Sequence, residues 1–310
     1  MSRYIVTGGA GFIGAAVAAR LIARGDHVVV IDNLSTGSIG QIPKGADFIK
    51  ADCQDTSLFS RIPDYKYDAI FHIAGQSSGE ISFDDPIYDL QTNAQSTLLL
   101  LEYAKRRNCG RFIYASTMSV YGDQQDTPIS ETALTQPKSF YGVGKLASEQ
   151  YMRIYRQYGI ESVSLRLFNV YGPGQNMKNL RQGMVSIYLA QAFDNHKICI
   201  KGPADRFRDF IYIDDVVDAF LHFESIPPNT EFVFNIGTGV KTTVSKLIDN
   251  ICNLLPFPVE ILYEGSTLGD VFGIRANCDR ARLQAEWIAK TPLNVGLQSM
   301  ISWAQKNDWN

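Results

Sequence analysis

The 310-residue chain has little from which to build a metal centre, a disulfide frame or a membrane span. Its five cysteines (Cys53, Cys109, Cys199, Cys252 and Cys278) are odd in number and scattered, with no C-x-x-C pair. That pattern speaks for reduced thiols and against a stapled scaffold or a zinc site. Four dispersed histidines add no ligand cluster, so no metal is expected. No apolar run approaches the ~20 residues that cross a bilayer, so no membrane partner is expected. A net charge of -3 supplies no basic surface for nucleic acid. Apolar sequence begins within three residues of Met1 and leaves no basic, cleavable leader, which points to a cytoplasmic protein. Internal repeats and low-complexity segments are also missing. What remains, 45% hydrophobic and 20% charged residues, is the composition of an ordinary globular protein with a real core.

Short apolar runs at 4–7, 27–31, 47–50, 69–74, 111–116 and 162–167 alternate with helical patterns such as 15–24 and 90–107. Alternation of this kind predicts βαβ units, hence an α/β fold with a doubly wound parallel sheet covered on both faces. After Gly172-Pro173-Gly174 the order loosens. A strand and helix at 210–223 and a strand at 232–236 return to the main sheet. The expected division is a Rossmann-type nucleotide-binding domain (1–168 with 209–240) and a smaller mixed α/β substrate domain (169–208 with 241–310). The turn-rich stretch 122–138 reads as the longest flexible loop.

Thr7-Gly8-Gly9-Ala10-Gly11-Phe12-Ile13-Gly14 joins the first strand to the first helix. Glycines at this spacing permit a tight turn, close backbone approach to a pyrophosphate and close helix packing. The helix start then offers free N–H groups and a positive dipole end. Asp32 closes the second strand, where a carboxylate would accept from an adenosine ribose and repel a 2′-phosphate, which favours NAD over NADP. Asp52, after the third strand, fits a contact to the adenine amino group and fits an ordinary turn acid equally well.

Tyr141 and Lys145 stand four residues apart, on one face of a helix. A tyrosine with a pKa near ~10 is a poor base at neutral pH, and a neighbouring cation favours its phenolate. The fifth strand ends in Ser116-Thr117, where ligands of open α/β sheets bind. Either hydroxyl there can donate to a sugar oxygen beside Tyr141.

With these motifs in place, the chain resembles the extended short-chain dehydrogenases/reductases of the NAD-dependent epimerase/dehydratase group. The resemblance rests on Thr7–Gly14, Asp32-Asn33-Leu34, His72-Ile73-Ala74-Gly75, Ser116–Gly122, Tyr141-x-x-x-Lys145 and Arg166–Pro173, and continues through Arg208–Val216 and Phe234–Gly237. Within the group it is most like the UDP-galactose and UDP-N-acetylglucosamine 4-epimerases. The resemblance implies that Tyr141, held as a phenolate by Lys145 and the cationic nicotinamide, takes the sugar 4-OH proton while hydride passes to NAD. A 4-keto sugar then turns and is reduced from its other face. It also implies NAD contacts from Gly8, Gly11, Phe12, Ile13, Gly14, Asp32, Asn33, Asp52 and Cys53. Further NAD contacts are implied for Ile73, Ala74, Gly75, Asn93, Tyr141 and Lys145.

Catalytic roles fall on Tyr141, Lys145, Thr117 and Ser116. Substrate contacts are implied for Ser77, Thr117, Asn169, Met184, Val185, Cys199, Arg208 and Asp270, with Asn169 and Arg208 on the diphosphate. Dehydratases of the family carry an acidic pair after the threonine, and decarboxylases a nearby Glu. Here Met118 and Ser119 follow instead, so 4-epimerisation of a UDP-hexose or UDP-N-acetylhexosamine is expected. The alternatives are UDP-glucuronate 4-epimerisation, which needs a cation such as Arg181 at C6, another nucleotide-sugar epimerase, or a 4,6-dehydratase. Thr267 replaces a phosphate-binding Arg that many relatives have three residues before the Asp of the Gly-Asp pair. Ile274 falls near the position that limits sugar size. A homodimer through helices 90–107 and 142–156 is expected from the family.

Overall fold

The computed structural model describes residues 1–124, 128–227, 231–265 and 271–307. Asp270 and Thr267 lie outside the described residues. The strands are β1 (Arg3–Thr7), β2 (His27–Asp32), β3 (Asp47–Lys50), β4 (Ala69–His72), β5 (Arg111–Thr117), β6 (Glu161–Leu167), β7 (Asn169–Tyr171), β8 (Lys197–Lys201), β9 (Phe207–Arg208), β10 (Phe210–Tyr212), β11 (Val233–Ile236), β12 (Thr242–Thr243) and β13 (Glu260–Glu264). The helices are α1 (Phe12–Ala23), α2 (Pro86–Leu90), α3 (Ser96–Arg106), α4 (Phe140–Tyr155), α5 (Met184–Asn195), α6 (Ile213–Ser225), α7 (Val244–Leu254), α8 (Asp279–Ala285) and α9 (Leu293–Lys306).

Seven strands pair in the order β11-β6-β5-β4-β1-β2-β3, every neighbour parallel. Alternation along each strand sorts its side chains to two faces. From β1, Tyr4 and Val6 join a core shared with α1 and α6, while Ile5 joins a second core with Leu100, Phe112 and Met152. The chain reverses direction of travel across the sheet between β1 and β4. That switch point opens the crevice in which such sheets take ligands. The smaller sheets β7/β10, β8/β13 and β9/β12 stand apart from the main one. The β8/β13 pair packs with α5, and Thr242-Thr243 of β12 pairs antiparallel with Phe207-Arg208 of β9.

Three expectations change. Of the two late strands expected in the main sheet only β11 joins it; β10 pairs with β7 in a separate two-stranded sheet. The single helix over 90–107 is interrupted: a π-turn over Gln91–Gln95 separates α2 from α3 and buries Thr92, Asn93 and Ala94. Such single-turn bulges turn side chains out of helical register, and here it is Asn93 that faces inward. The stretch 122–138 is pinned rather than free in its described part. Ile129 bridges to Ala276, and the Asn235 N–H donates to Glu131 at 2.8 Å.

Candidate active site

The glycine turn works by close approach. Gly8 has φ +71°, and a Cβ there would lie 2.7 Å from the Ala74 nitrogen. A Cβ on Gly14 would lie 2.1 Å from the Gly8 carbonyl oxygen, so α1 can sit this near its own turn only without a side chain at 14. No side chain caps the start of α1, whose N-cap is Gly11. Its N–H groups and positive dipole end face a cavity of about 420 Å³. Asp32 is fixed at the end of β2, its carboxylate accepting from the Ala10 N–H (3.0 Å) and the Leu34 N–H (2.8 Å). Asn33 donates to Asp52 at 2.8 Å. Gly8, Gly11, Phe12, Ile13, Gly14, Asp32, Asn33, Asp52, Cys53, Ile73, Ala74 and Gly75 all line this cavity. Asn93 stands behind it: its Oδ1 lies 2.4 Å from where a Cβ on Gly75 would be. These features fit a dinucleotide: bare backbone and a helix start for the pyrophosphate, and a fixed carboxylate for a ribose.

Tyr141 and Lys145 come from the buried stripe of α4, which also carries Ser148, Glu149 and Met152. The helix starts at the Ser139 N-cap, whose hydroxyl accepts from the Gly142 N–H at 3.1 Å. Lys145 Nζ donates to the Ala115 carbonyl (3.0 Å) and lies 4.7 Å from the Tyr114 ring centre and 5.8 Å from that of Tyr141. Both residues are buried, Tyr141 9% and Lys145 3% exposed, and the Lys145 Nζ stands behind Gly75 at the wall of the cofactor cavity. Burial pushes the Tyr141 phenol up to about 12, opposed by a hydrogen bond with Thr117 and reinforced by Asp89. Burial pushes Lys145 down to about 8, opposed by Asp89. The expected phenolate is therefore not a property of the pair alone: desolvation outweighs the hydrogen bond from Thr117.

The two strand-end hydroxyls part company. Tyr114 and Ser116, two apart on β5, share one face of the strand, and Ser116 gives its proton to Glu149 at 2.6 Å. Glu149 also accepts from Ser164 (3.1 Å) and from Arg166 through Nε (2.9 Å) and Nη2 (2.6 Å). Ser116 thus belongs to a buried ion-pair network that locks α4 to β5 and β6, and its catalytic assignment is withdrawn. Thr117, at the strand end, is the hydroxyl beside Tyr141, and its side chain also accepts from the Ser119 N–H at 3.1 Å.

A second cavity, about 460 Å³, adjoins the first. Ser77 and Gln182 line both cavities, and the Gln182 amide donates to Ser77 Oγ at 2.5 Å across the seam. Five basic residues line the second cavity (Lys138, Arg181, Lys201, Arg206 and Arg208), with Glu80 the one acid among the described residues. That balance suits a diphosphate. Asn169 lines it with Oδ1 buried and unpartnered. Arg208 is 2% exposed and donates to the carbonyls of Phe207 (2.7 Å), Phe272 (3.2 Å) and Val271 (2.7 Å). Met184 and Cys199 line the wall, with Ile187, Tyr188 and Gln191 completing the i, i+3, i+4, i+7 face of α5. Val185 does not join them: it is 2% exposed and points into the core with Leu189 and Ala192, so its substrate contact is withdrawn. Arg181, offered as a carboxylate-binding cation, is held by Asp84 (2.6 Å) and Glu80 (3.1 Å).

Sequence reasoning passed over Gln182 and Arg206, which line the second cavity, and the buried acid Asp89. Arg206 was within reach, since it stands two residues before Arg208 in an extended segment. Asp89 carried a fainter signal, an acid four residues before Asn93 on a helix that otherwise shows little polarity pattern.

Across residues 4–237 the chain matches the NAD dependent epimerase/dehydratase family. The chain belongs to this family. It is an NAD-dependent enzyme, and the first cavity has the form its cofactor requires. The chain is 33% identical over 308 residues to the UDP-glucose 4-epimerase of Mycolicibacterium smegmatis, covering 97% of this chain and 98% of the relative. It is 31% identical to the UDP-glucuronic acid decarboxylase 1 of Arabidopsis thaliana over 315 residues, 97% of this chain and 69% of that protein. Among solved structures it superposes on the UDP-glucose 4-epimerase of Thermotoga maritima with UDP-glucose. That match has a TM-score of 0.94 and 34% identity, and covers 98% of this chain and 99% of that one. Both epimerases are similar to the chain end to end.

Proposed function

We propose that this family member is a 4-epimerase of UDP-hexoses or UDP-N-acetylhexosamines, acting through a transient 4-keto sugar. The observation that carries the reading is the chemistry around Tyr141 and Thr117. Thr117 is hydrogen-bonded to Tyr141, and the two residues that follow it, Met118 and Ser119, line a basic cavity whose one described acid, Glu80, is committed to Arg181. Dehydration and decarboxylation call for a further acid near C6, and Met118 and Ser119 occupy that place.

In this reading Tyr141 takes the 4-OH proton and Thr117 steadies O4 and the phenol. When bound, oxidised NAD accepts and returns the C4 hydride and adds the positive charge that the buried phenol lacks. Asn169 and Arg208 hold the diphosphate, and Met184 and Cys199 border the base, so the keto sugar turns about a fixed anchor. Ser77 and Gln182 border the sugar where the cavities meet. A buried aliphatic at Ile274, in place of a larger ring, leaves room for an N-acetyl group. UDP-glucuronate is disfavoured, because Arg181 would have to leave two carboxylates to reach C6.

The nucleotide end is assigned to 169–208 with 241–310. No helix among the described residues is long and apolar enough to cross a membrane. Exposed Ile87, Leu90, Val143 and Ile154 support a homodimer through the α2–α4 region, which light scattering on a sizing column tests.

Incubation with UDP-glucose and with UDP-N-acetylglucosamine, followed by separation of C4 epimers, tests the reaction. Interconversion of at least one is expected, and Tyr141→Phe should lower turnover about 10²–10⁴-fold while retaining NAD. A product lighter by one water, or full turnover without the phenol, overturns the proposal.

A further inference from the structure

Asp89 is buried and no role is attached to it. It lies on α2, 1% exposed, in the shortest of the helices around the site. One carboxylate oxygen accepts from the Gln76 side-chain amide at 2.8 Å, while Oδ1 has no hydrogen-bond partner. The Asn93 amide, which gives one of its two N–H groups to the Gln76 carbonyl at 3.1 Å, also acts on the carboxylate and, with Gln76 and Lys145, opposes the burial that raises its pKa. A carboxylate rarely stays buried so poorly bonded without a charge to answer it.

The approach of α2 to α4 brings this carboxylate to the proton-transfer pair. Gly144 lies between Tyr141 and Lys145 in sequence and has no side chain. A Cβ there would stand 3.2 Å from the Asn93 Cβ and 3.5 Å from Asp89 Oδ1. The gap left by Gly144 is thus what lets the acid come up against α4.

The surroundings of Lys145 make Asp89 distinctive. From β4 comes His72, buried between Thr7 (2.8 Å) and Thr97 (3.1 Å) and held neutral. From β5 come the Tyr114 ring and the Ala115 carbonyl. From α4 itself come Tyr141 and, one turn on, Glu149, which is committed to Arg166. That leaves Asp89 as the uncommitted anion that acts on both Lys145 and Tyr141.

We propose that Asp89 is a positioning residue of the active site, a buried counter-charge that retains the proton of the Tyr141/Lys145 pair and so sets the pH at which the pair becomes competent. The inference rests on reading Tyr141 and Lys145 as the proton-transfer pair. Its sign is simple. An anion nearby makes every proton on the pair harder to remove, so neutralising the anion must lower the first deprotonation of the pair.

The test uses the protein as purified, with its cofactor, labelled with ¹³C at lysine Cε and titrated by NMR. The Lys145 signal is assigned by its loss in Lys145→Met. In Asp89→Asn the midpoint should fall by on the order of one pH unit, a tenfold change in proton affinity. Asp89→Glu should restore it to within a few tenths. If Asp89→Asn does not fold, Asp89→Ser carries the same readout. A midpoint that stays put in a folded neutral variant overturns the proposal, because a merely structural carboxylate would move stability and not this titration.

The pH profile of kcat/KM adds the functional arm: its acid limb should move to lower pH with the midpoint. A moved midpoint in a protein that turns over no UDP-sugar supports Asp89 as counter-charge and sinks the epimerase reading. An unmoved midpoint in an active epimerase does the reverse.

Discussion

Gly11→Ala and Gly14→Ala place the same methyl group three residues apart, and the structure assigns them opposite consequences. At Gly14 the new Cβ would lie 2.1 Å from the Gly8 oxygen, 2.6 Å from its carbonyl carbon and 3.0 Å from the Gly9 Cα. All three are backbone atoms of the turn, so α1 must move away. Overpacking of that kind costs about 1–3 kcal/mol, offset by about 0.5–1 kcal/mol gained from replacing glycine within a helix. A net loss of about 1–2 kcal/mol corresponds to about 1.5–3 °C in Tm for a chain of this size. Because the displaced helix start is also the phosphate site, NAD should be lost as well.

At Gly11 the Cβ meets a single atom, the Gly8 oxygen at 3.3 Å, and points into the cofactor cavity. The fold should tolerate it at a cost of under about 1 kcal/mol, most of that from alanine's poorer N-capping. The methyl would occupy the path by which backbone approaches pyrophosphate, and NAD should again be lost. The assay is thermal unfolding of charcoal-stripped protein, with NAD quantified from the protein as isolated and Tm remeasured with NAD added back. Stripping matters because bound NAD raises Tm by mass action and would blur the comparison. A Gly14→Ala variant as stable as the parent would refute the close-packing argument. A Gly11→Ala variant that keeps its NAD would refute the account of the cavity.

Glu149→Ala should destabilise the protein by about 3–5 kcal/mol, because Arg166 would be left charged and buried on the far side of the lost pair, and denaturant unfolding measures it; a change under ~1 kcal/mol would show the network to be incidental. His72 is buried with its folded pKa well below 6.5, so below that pH the unfolded chain binds a proton that the folded one does not. Its contribution is full above pH 6.5 and is lost on acidification at up to about 1.4 kcal/mol per pH unit; unfolding free energies of the parent and His72→Gln should run parallel above pH 6.5 and diverge in slope by up to that amount below it. Ile274→Tyr would put a ring in place of a buried aliphatic side chain on the substrate cavity wall. It should lower turnover of UDP-N-acetylglucosamine relative to UDP-glucose by tenfold or more, as measured by competing the two substrates.

The glycine turn, Asp32 and the Tyr141/Lys145 spacing were readable because each is a local pattern with a local cause. A tight βα turn, an acid at a strand end and two residues one helical turn apart need few distant partners to be recognised. The parallel sheet followed from alternating apolar and amphipathic segments for the same reason. Where neighbours in sequence compete, locality gave no answer. Ser116 and Thr117 are chemically interchangeable until Glu149, 33 residues away, claims the first. Met184 and Val185 are both apolar at the start of one helix, and only the packing of α5 decides that the first borders the cavity and the second the core.

The same division holds for charge. The sequence by itself determined that the chain carries a phenol and an ammonium poised for one site, a phosphate-binding turn and no acid after Thr117. Tertiary structure alone decided how those groups titrate, because desolvation depends on what surrounds a group and not on its neighbours along the chain. Burial lifts the Tyr141 phenol and depresses Lys145, and a carboxylate 52 positions before Tyr141 comes up against α4 through the space that Gly144 leaves empty.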